Sequence, residues 1–228
     1  MLFRPKPLLA SVALALALTG AACADESPRP VPAPTLDPAE KGMQTAVLAG
    51  GCFWGQQGLF EHVKGVSKVV AGYSGGAAST AHYEMVGTET TGHAESVQIT
   101  YDPAQISYGK LLQIYFSVAH DPTELDRQGP DSGPSYRSEI FFTTPAQEKI
   151  AHAYIAQLNA AHAYGAPIVT KVEAMKGFYK AEDYHQDYLI HHPDQSYIMI
   201  NDQPKIVNFK KMYPSLYRDA PVMITAMN

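Results

Sequence analysis

One stretch constrains the fold before any other: T-A-V-L-A-G-G-C-F-W-G, Thr45 to Gly55. Thr45 to Gly51 reads as a buried strand that runs out into glycines. With no break, Phe53 to Val63 reads as a helix with Phe53, Phe60 and Val63 on its apolar side and Glu61 and Lys64 outside. Gly50 and Gly51 let the backbone turn sharply where the strand gives way to the helix. The single residue at the junction is Cys52.

The rest of the chain continues the alternation. V-S-K-V-V-A-G-Y is a second strand, ended by Gly75-Gly76, and H-A-E-S-V-Q-I-T-Y a third with strict period two. Ser107 to Ala119 is a helix with Ser107 as N-cap and Leu111, Leu112, Tyr115 and Val118 as its stripe. His120 to Ser135, rich in proline and glycine, is a long loop, a kind that is usually functional or disordered. R-S-E-I-F-F-T-T is a fourth strand. The helix after it opens on Thr144 as N-cap, Pro145 at the first helical position and Gln147 completing a capping box. Ala166 to Met175 reads as a fifth strand and Lys180 to His191 as a helix, with His191-His192 capping its end before Pro193. Strands mixed with separate helices predict an α+β domain, helices packed on a mixed sheet, from Gln44 to about Tyr217. The tail after Tyr217 shows no period and is expected to be loosely held.

Residues 1–24 stand apart. Arg4 and Lys6 precede the apolar run that ends at A-C-A, the pattern of a secretory signal. The run sits at or below the roughly 17–25 apolar residues of a membrane span. Cleavage after Ala24 discards Cys23; cleavage after Ala22 leaves Cys23 at the new N-terminus as a lipid anchor, since T-G-A-A-C resembles a bacterial lipoprotein box with Gly20 in place of leucine. The expectation is an exported protein, periplasmic or lipid-anchored to a bacterial membrane. Residues 25–43, with P-R-P-V-P-A-P at their centre, read as a semi-extended linker. The net charge of −5 over 228 residues is the wrong sign for nucleic acid.

The chain has two cysteines. With Cys23 removed or capped, Cys52 is an unpaired thiol in an oxidising compartment, a liability unless it is used, or else a buried structural cysteine. At a helix start the partial positive charge of free N–H groups should lower its pKa. Glu95 shares parity with Val97, Ile99 and Tyr101 in its strand, so it points to their face. Buried there it would stay protonated and serve as a general acid; at the strand end it would swing to solvent. Phe53 and Trp54, the latter the only tryptophan, serve as core or as pocket wall. His62, His82, His93 and His120 keep a cysteine acyl hydrolase open. The H-x-E of His93 to Glu95 lacks the P-C-x-x-C ligands of a zinc deaminase, and no C-x-x-C supports a dithiol oxidoreductase. No metal is expected.

G-C-F-W-G, G-Y-S-G-G (Gly72 to Gly76), T-G-H-A-E (Thr91 to Glu95), Y-R-S (Tyr136 to Ser138) and A-E-D-Y-H-Q-D-Y (Ala181 to Tyr188) together closely resemble type A peptide methionine sulfoxide reductases, from about Thr45 to Tyr217. The resemblance implies a two-layer sandwich with a ferredoxin-like core. It implies Cys52 as nucleophile and Glu95 as general acid. Tyr83 and Tyr136 would bond the sulfoxide oxygen, Asp131 would orient the site and its water, and Phe53 and Trp54 would hold the substrate methyl group. The implied reaction reduces the S epimer of methionine sulfoxide, free or in proteins, leaving Cys52 as a sulfenic acid. The resemblance also implies no bound cofactor and an external thiol that restores the enzyme, a thioredoxin-like protein in vivo or dithiothreitol in vitro. The chain departs from many family members at Gly87, where they carry cysteine. It also lacks any cysteine after Cys52, so a one-cysteine cycle without an internal disulfide is expected. A monomer that repairs exported proteins is the resulting expectation. The remaining alternative is a lipoprotein that binds oxidised peptides without turnover.

Overall fold

The computed structural model describes residues 27–225. The signal pattern and Cys23 lie outside the described residues. Among those described, no helix is long and apolar enough to cross a membrane.

Strand β1 (Gln44–Ala49) is followed by α1 (Phe53–Glu61), β2 (Val66–Ser74), the short α2 (Tyr83–Val86) and β3 (Ala94–Tyr101). Next come α3 (Tyr108–Ile114), the two-residue strands β4 (Arg127–Gln128) and β5 (Asp131–Ser132), β6 (Glu139–Phe142) and α4 (Pro145–Ala160). The chain closes with β7 (Lys171–Ala174), β8 (Phe178–Lys180), α5 (Tyr188–His191) and α6 (Gln203–Met212). Six strands form one mixed sheet in the order β7-β6-β1-β3-β2-β8, in which only β6 and β7 run parallel. β1 and β3 lie at its centre, paired antiparallel from Gln44 with Tyr101 to Ala49 with Ser96.

The period-two pattern decides which face each residue takes. Leu48, Val69, Ala71, Tyr73, Val97, Ile99 and Tyr101 are buried in the main core with Leu59 and Phe60 of α1. Val47, Ala49, Ala94 and Phe141 point to the other face, where Met175 and Phe178 lie against them. α4 buries Ile150, Ala151, Tyr154 and Leu158, a stripe at helical spacing. The result is the expected α+β arrangement of helices layered on a mixed sheet.

Helix starts follow the sequence closely. Ser107 Oγ accepts the Lys110 N–H at 3.2 Å, and α3 runs on as a π-helical turn over Tyr115–Ala119. Thr144 Oγ1 accepts the Gln147 N–H at 3.2 Å. Gln147 does not close the box on Thr144; its amide oxygen accepts the Thr143 N–H at 2.9 Å and its Nε2 donates to Thr45 O. The long loop contains the β4–β5 hairpin and a 3-10 turn at Pro134–Tyr136.

Five expectations need correction. Lys180 to His191 is not one helix. Gln186 uses its side-chain amide as a substitute peptide, accepting the Ala71 N–H and donating to Ala71 O, both at 3.0 Å, so this segment extends the edge of β2 instead. Asp187 then turns through a left-handed φ of 52° before α5. The fifth strand covers only Lys171–Ala174: Pro167 has no N–H, and the Ile168 and Val169 N–H groups go to Asn159 Oδ1 and Pro122 O. Glu61 is wholly buried, not outside.

The proline-rich segment is not a free tether. Val31 is buried, Tyr154 donates to Pro32 O at 2.7 Å, Gln113 Nε2 to Val31 O at 2.9 Å, and Asp37 Oδ1 accepts the Gly109 N–H at 2.9 Å. The extended backbone leaves its carbonyls free for side-chain donors from α3 and α4. The tail after Tyr217 is likewise held: the Arg218 and Val222 N–H groups donate to His62 O and Glu61 O at 2.9 and 3.1 Å.

Candidate active site

Cys52 occupies the N-cap of α1. Gly51 before it has φ +88°, and a Cβ there would lie 2.6 Å from Gln128 Cγ. Only glycine lets the β1 chain turn this sharply beneath the hairpin. The Gly51 N–H donates to Tyr136 O at 3.2 Å, and Gln56 Nε2 donates to Gly50 O at 2.6 Å and Ala119 O at 3.2 Å. The junction is thus pinned from three directions. Cys52 keeps 8% of its surface exposed.

Glu95, on β3, reaches the same junction. Its Oε2 accepts the Phe53 N–H at 2.9 Å, and it is 4% exposed. Burial pushes its pKa up to about 8 against the pull of the Phe53 amide, with Asp131, Glu89 and Asp202 adding to the rise. Near neutrality the group is mainly a protonated carboxylic acid. The thiol departs from the sequence expectation. Burial, then the fields of Glu95 and Asp202, drive the Cys52 pKa well up, and the Trp54 N–H offsets only part of this. The helix start favours a thiolate, but desolvation and neighbouring carboxylates outweigh it, and the Phe53 amide is already given to Glu95. With Glu95 protonated, burial and Asp202 keep the thiol neutral, and the field of Glu95 adds to this only once the acid ionises, so the resting site pairs a neutral thiol with a neutral acid.

A cavity of about 220 Å³ opens on these two groups, lined by Cys52, Phe53, Trp54, Tyr83, Glu95, Asp131, Tyr136 and Tyr197. The structure brings together all seven site residues named from the sequence. Tyr197 is the addition. Its hydroxyl donates to Asp131 Oδ2, and its ring meets Trp54 edge-on at 6.1 Å. Nothing in its local pattern separates it from thirteen other tyrosines. Burial raises the pKa of Tyr83, Tyr136 and Tyr197, so each remains a hydroxyl donor.

Two more residues were missed, both in A-E-D-Y-H-Q-D-Y. Trp54 Nε1 donates to His185 Nδ1 at 3.1 Å, and Tyr188 stacks on Trp54 with ring centres 3.9 Å apart and 11° between planes. They hold the indole from behind and from the side.

None of the histidines of the hydrolase alternative, His62, His82, His93 and His120, lines the cavity, and three of them are committed elsewhere. His120 is bonded to Ser138 Oγ at 2.7 Å and Tyr115 O at 3.2 Å, and burial lowers its pKa to about 3. His93 bonds the Gly76 N–H and Ala77 O, and His62 bonds Arg218 O. A thiol beside an acid in a cavity without a histidine base defines a thiol-dependent oxidoreductase rather than an acyl-transfer site.

The comparisons agree with this. A family model described as peptide methionine sulfoxide reductase matches residues 44–216. The Mesorhizobium japonicum peptide methionine sulfoxide reductase MsrA 2 is 59% identical over 186 residues, 82% of this chain and 95% of that one. The Synechocystis MsrA 2 is 51% identical over 173 residues, 76% and 81% of the two chains. Among solved structures, reduced Mxr1 from Saccharomyces cerevisiae superposes with a TM-score of 0.60 at 32% identity, covering 71% of this chain and 91% of that one. Methionine sulfoxide reductase A of Corynebacterium diphtheriae gives 0.58 at 31% identity, covering 74% and 89%. The chain belongs to the peptide methionine sulfoxide reductase family.

Proposed function

We propose that this methionine sulfoxide reductase acts on the S epimer through Cys52, with Glu95 as general acid and a Cys52 sulfenic acid as intermediate. The observation that supports this most is the protonated Glu95 carboxyl placed beside the single buried thiol at the floor of an aromatic cavity. Phe53 and Trp54 hold the methyl group. The Tyr83 and Tyr136 hydroxyls and the Glu95 acid then meet the sulfoxide oxygen, and Asp131, bonded by Tyr197, orients the polar side.

Glu95 gives its proton to the oxygen, which leaves the sulfur electron-poor. That positive charge offsets the field that keeps Cys52 protonated. The thiol proton passes to the Glu95 carboxylate as the Cys52 sulfur bonds the substrate sulfur. The oxygen ends on Cys52, the substrate sulfur leaves as the thioether, and two electrons have moved from Cys52 to methionine. An external thiol attacks the sulfenic acid and releases water; a second thiol breaks the mixed disulfide and frees Cys52. Cys52 is the one described cysteine and is unpaired, which favours a thioredoxin-like dithiol as reductant. The N-terminal signal pattern supports export, with repair of periplasmic or surface proteins as the role, and leaves open a lipid at Cys23.

The test uses peptides carrying resolved S- or R-sulfoxide with excess dithiothreitol. Turnover of the S form alone, lost in Cys52→Ser, is expected. Turnover of neither form by a protein with a titratable Cys52 thiol would sink the reading in favour of binding without catalysis.

A further inference from the structure

Glu61 is an acid buried at 0% exposure on a helix whose pattern pointed it outward. Burial first and the neighbouring Asp187 second push its pKa to about 10, so it is a neutral acid beside the Asp187 carboxylate. Asp187 is also buried. Its Oδ1 accepts Gln57 Nε2 at 3.2 Å and the Ile224 N–H at 3.3 Å. Its Oδ2 accepts the Thr225 N–H at 2.8 Å and Thr225 Oγ1 at 2.5 Å. Its own N–H donates to Gln57 Oε1 at 2.9 Å. One carboxylate therefore ties together α1, the start of α5 and the end of the described chain. Val222, whose N–H donates to Glu61 O, and Arg218, whose guanidinium donates to Val63 O at 2.7 Å, bind the rest of that segment to the same helix end.

The neighbours of Asp187 in sequence are the residues that hold Trp54. His185 accepts the indole N–H, and Tyr188 stacks on the ring. Gln57 lies one helical turn from Trp54. α5 has four residues, too few to be stable alone, and begins at a left-handed aspartate. Asp187 is one of its anchors, alongside Leu189 packed against Gly58 of α1 and Gln186 bonded to Ala71.

We infer that the C-terminal segment from Arg218 to Thr225 is a latch, and that Asp187 is the positioning residue through which it seats His185 and Tyr188 against Trp54 and sets the width of the methyl pocket. For its substrate the inference rests on the reductase reading above; its geometry does not. Without the latch, Asp187 loses three donors from residues 224 and 225. A buried carboxylate so deprived draws in water or shifts, and Tyr188 moves with it.

Trp54 is the only tryptophan, so its fluorescence reads the site without reference to turnover. The experiment uses the full chain with Thr225→Val, which removes the hydroxyl, Thr225→Pro, which also removes the N–H, and Asp187→Asn. Thr35→Ala, a loss remote from the site, controls for stability alone. Expected are a shifted Trp54 emission and a KM for the sulfoxide peptide raised about tenfold with kcat within about twofold, larger for Thr225→Pro than for Thr225→Val. Thr35→Ala should lower Tm and leave emission and KM unmoved. Unchanged emission in a folded Thr225→Pro protein overturns the latch, whatever KM does. If Asp187→Asn fails to fold, the Thr225 pair carries the test. If the unsubstituted chain reduces no sulfoxide, the functional reading falls while the emission still decides the latch.

Discussion

On the proposed mechanism, Glu95 carries the pH dependence. Its acid form is present below a pKa of about 8, so kcat/KM should fall as pH rises through that value. Glu95→Gln should remove that limb and lower kcat by roughly 10²–10⁴; a rate profile of the variant that still bends near pH 8 would assign the titration to another group. The same shift governs stability. Its folded pKa lies above the ordinary 4.5, so its contribution is complete below that value and is lost as pH rises through about 8. Thermal melts of Glu95→Gln should therefore decline less over that window than those of the unsubstituted protein. Parity in A-E-S-V-Q-I-T-Y gave the direction of Glu95 from the sequence alone, because a strand has only two faces. The thiol departs from its local signal. A helix start is visible in sequence, but the carboxylates that raise Cys52 come from β3 and from Asp202 far along the chain.

At the scale of elements, the β1–α1 junction is the most demanding. Gly51→Ala combines a positive φ with a clash against Gln128 and should cost about 1–3 kcal/mol in chemical denaturation, with a fall in kcat as Cys52 shifts. Loss of neither would mean that the junction tolerates a different turn. Thr144→Ala removes an N-cap bond and should cost about 1 kcal/mol without touching catalysis. Both elements were legible because their signals are local: glycine before a turn, and threonine then proline before a helix. Lys180 to His191 was illegible for the opposite reason. Helical spacing is present there, but the Gln186 amide gains more from the buried Ala71 peptide, 115 residues away, than from a helix in water.

Over the whole molecule, the segment before β1 closes the face formed by α3 and α4. Val31→Asp, which places a charge on that buried contact, should lower Tm by several degrees, at about 2–4 °C per kcal/mol for a chain of this size, while kcat at low temperature holds. A large loss of kcat in a folded Val31→Asp protein would show that this face communicates with the site. Sequence alone determined the α+β class, the order of the central strands and helices, and the residues that meet at the cavity: Cys52, Phe53, Trp54, Tyr83, Glu95, Asp131 and Tyr136. Period, caps and short motifs are written over a few neighbouring residues, and family motifs carry a site in the same local form. Only the tertiary structure decided the charge state of Cys52, the burial of Glu61, the seating of Trp54 by His185 and Tyr188, and the fate of both chain extensions. Each depends on desolvation and on partners tens of residues or more away, and such partners leave no period in the sequence to read.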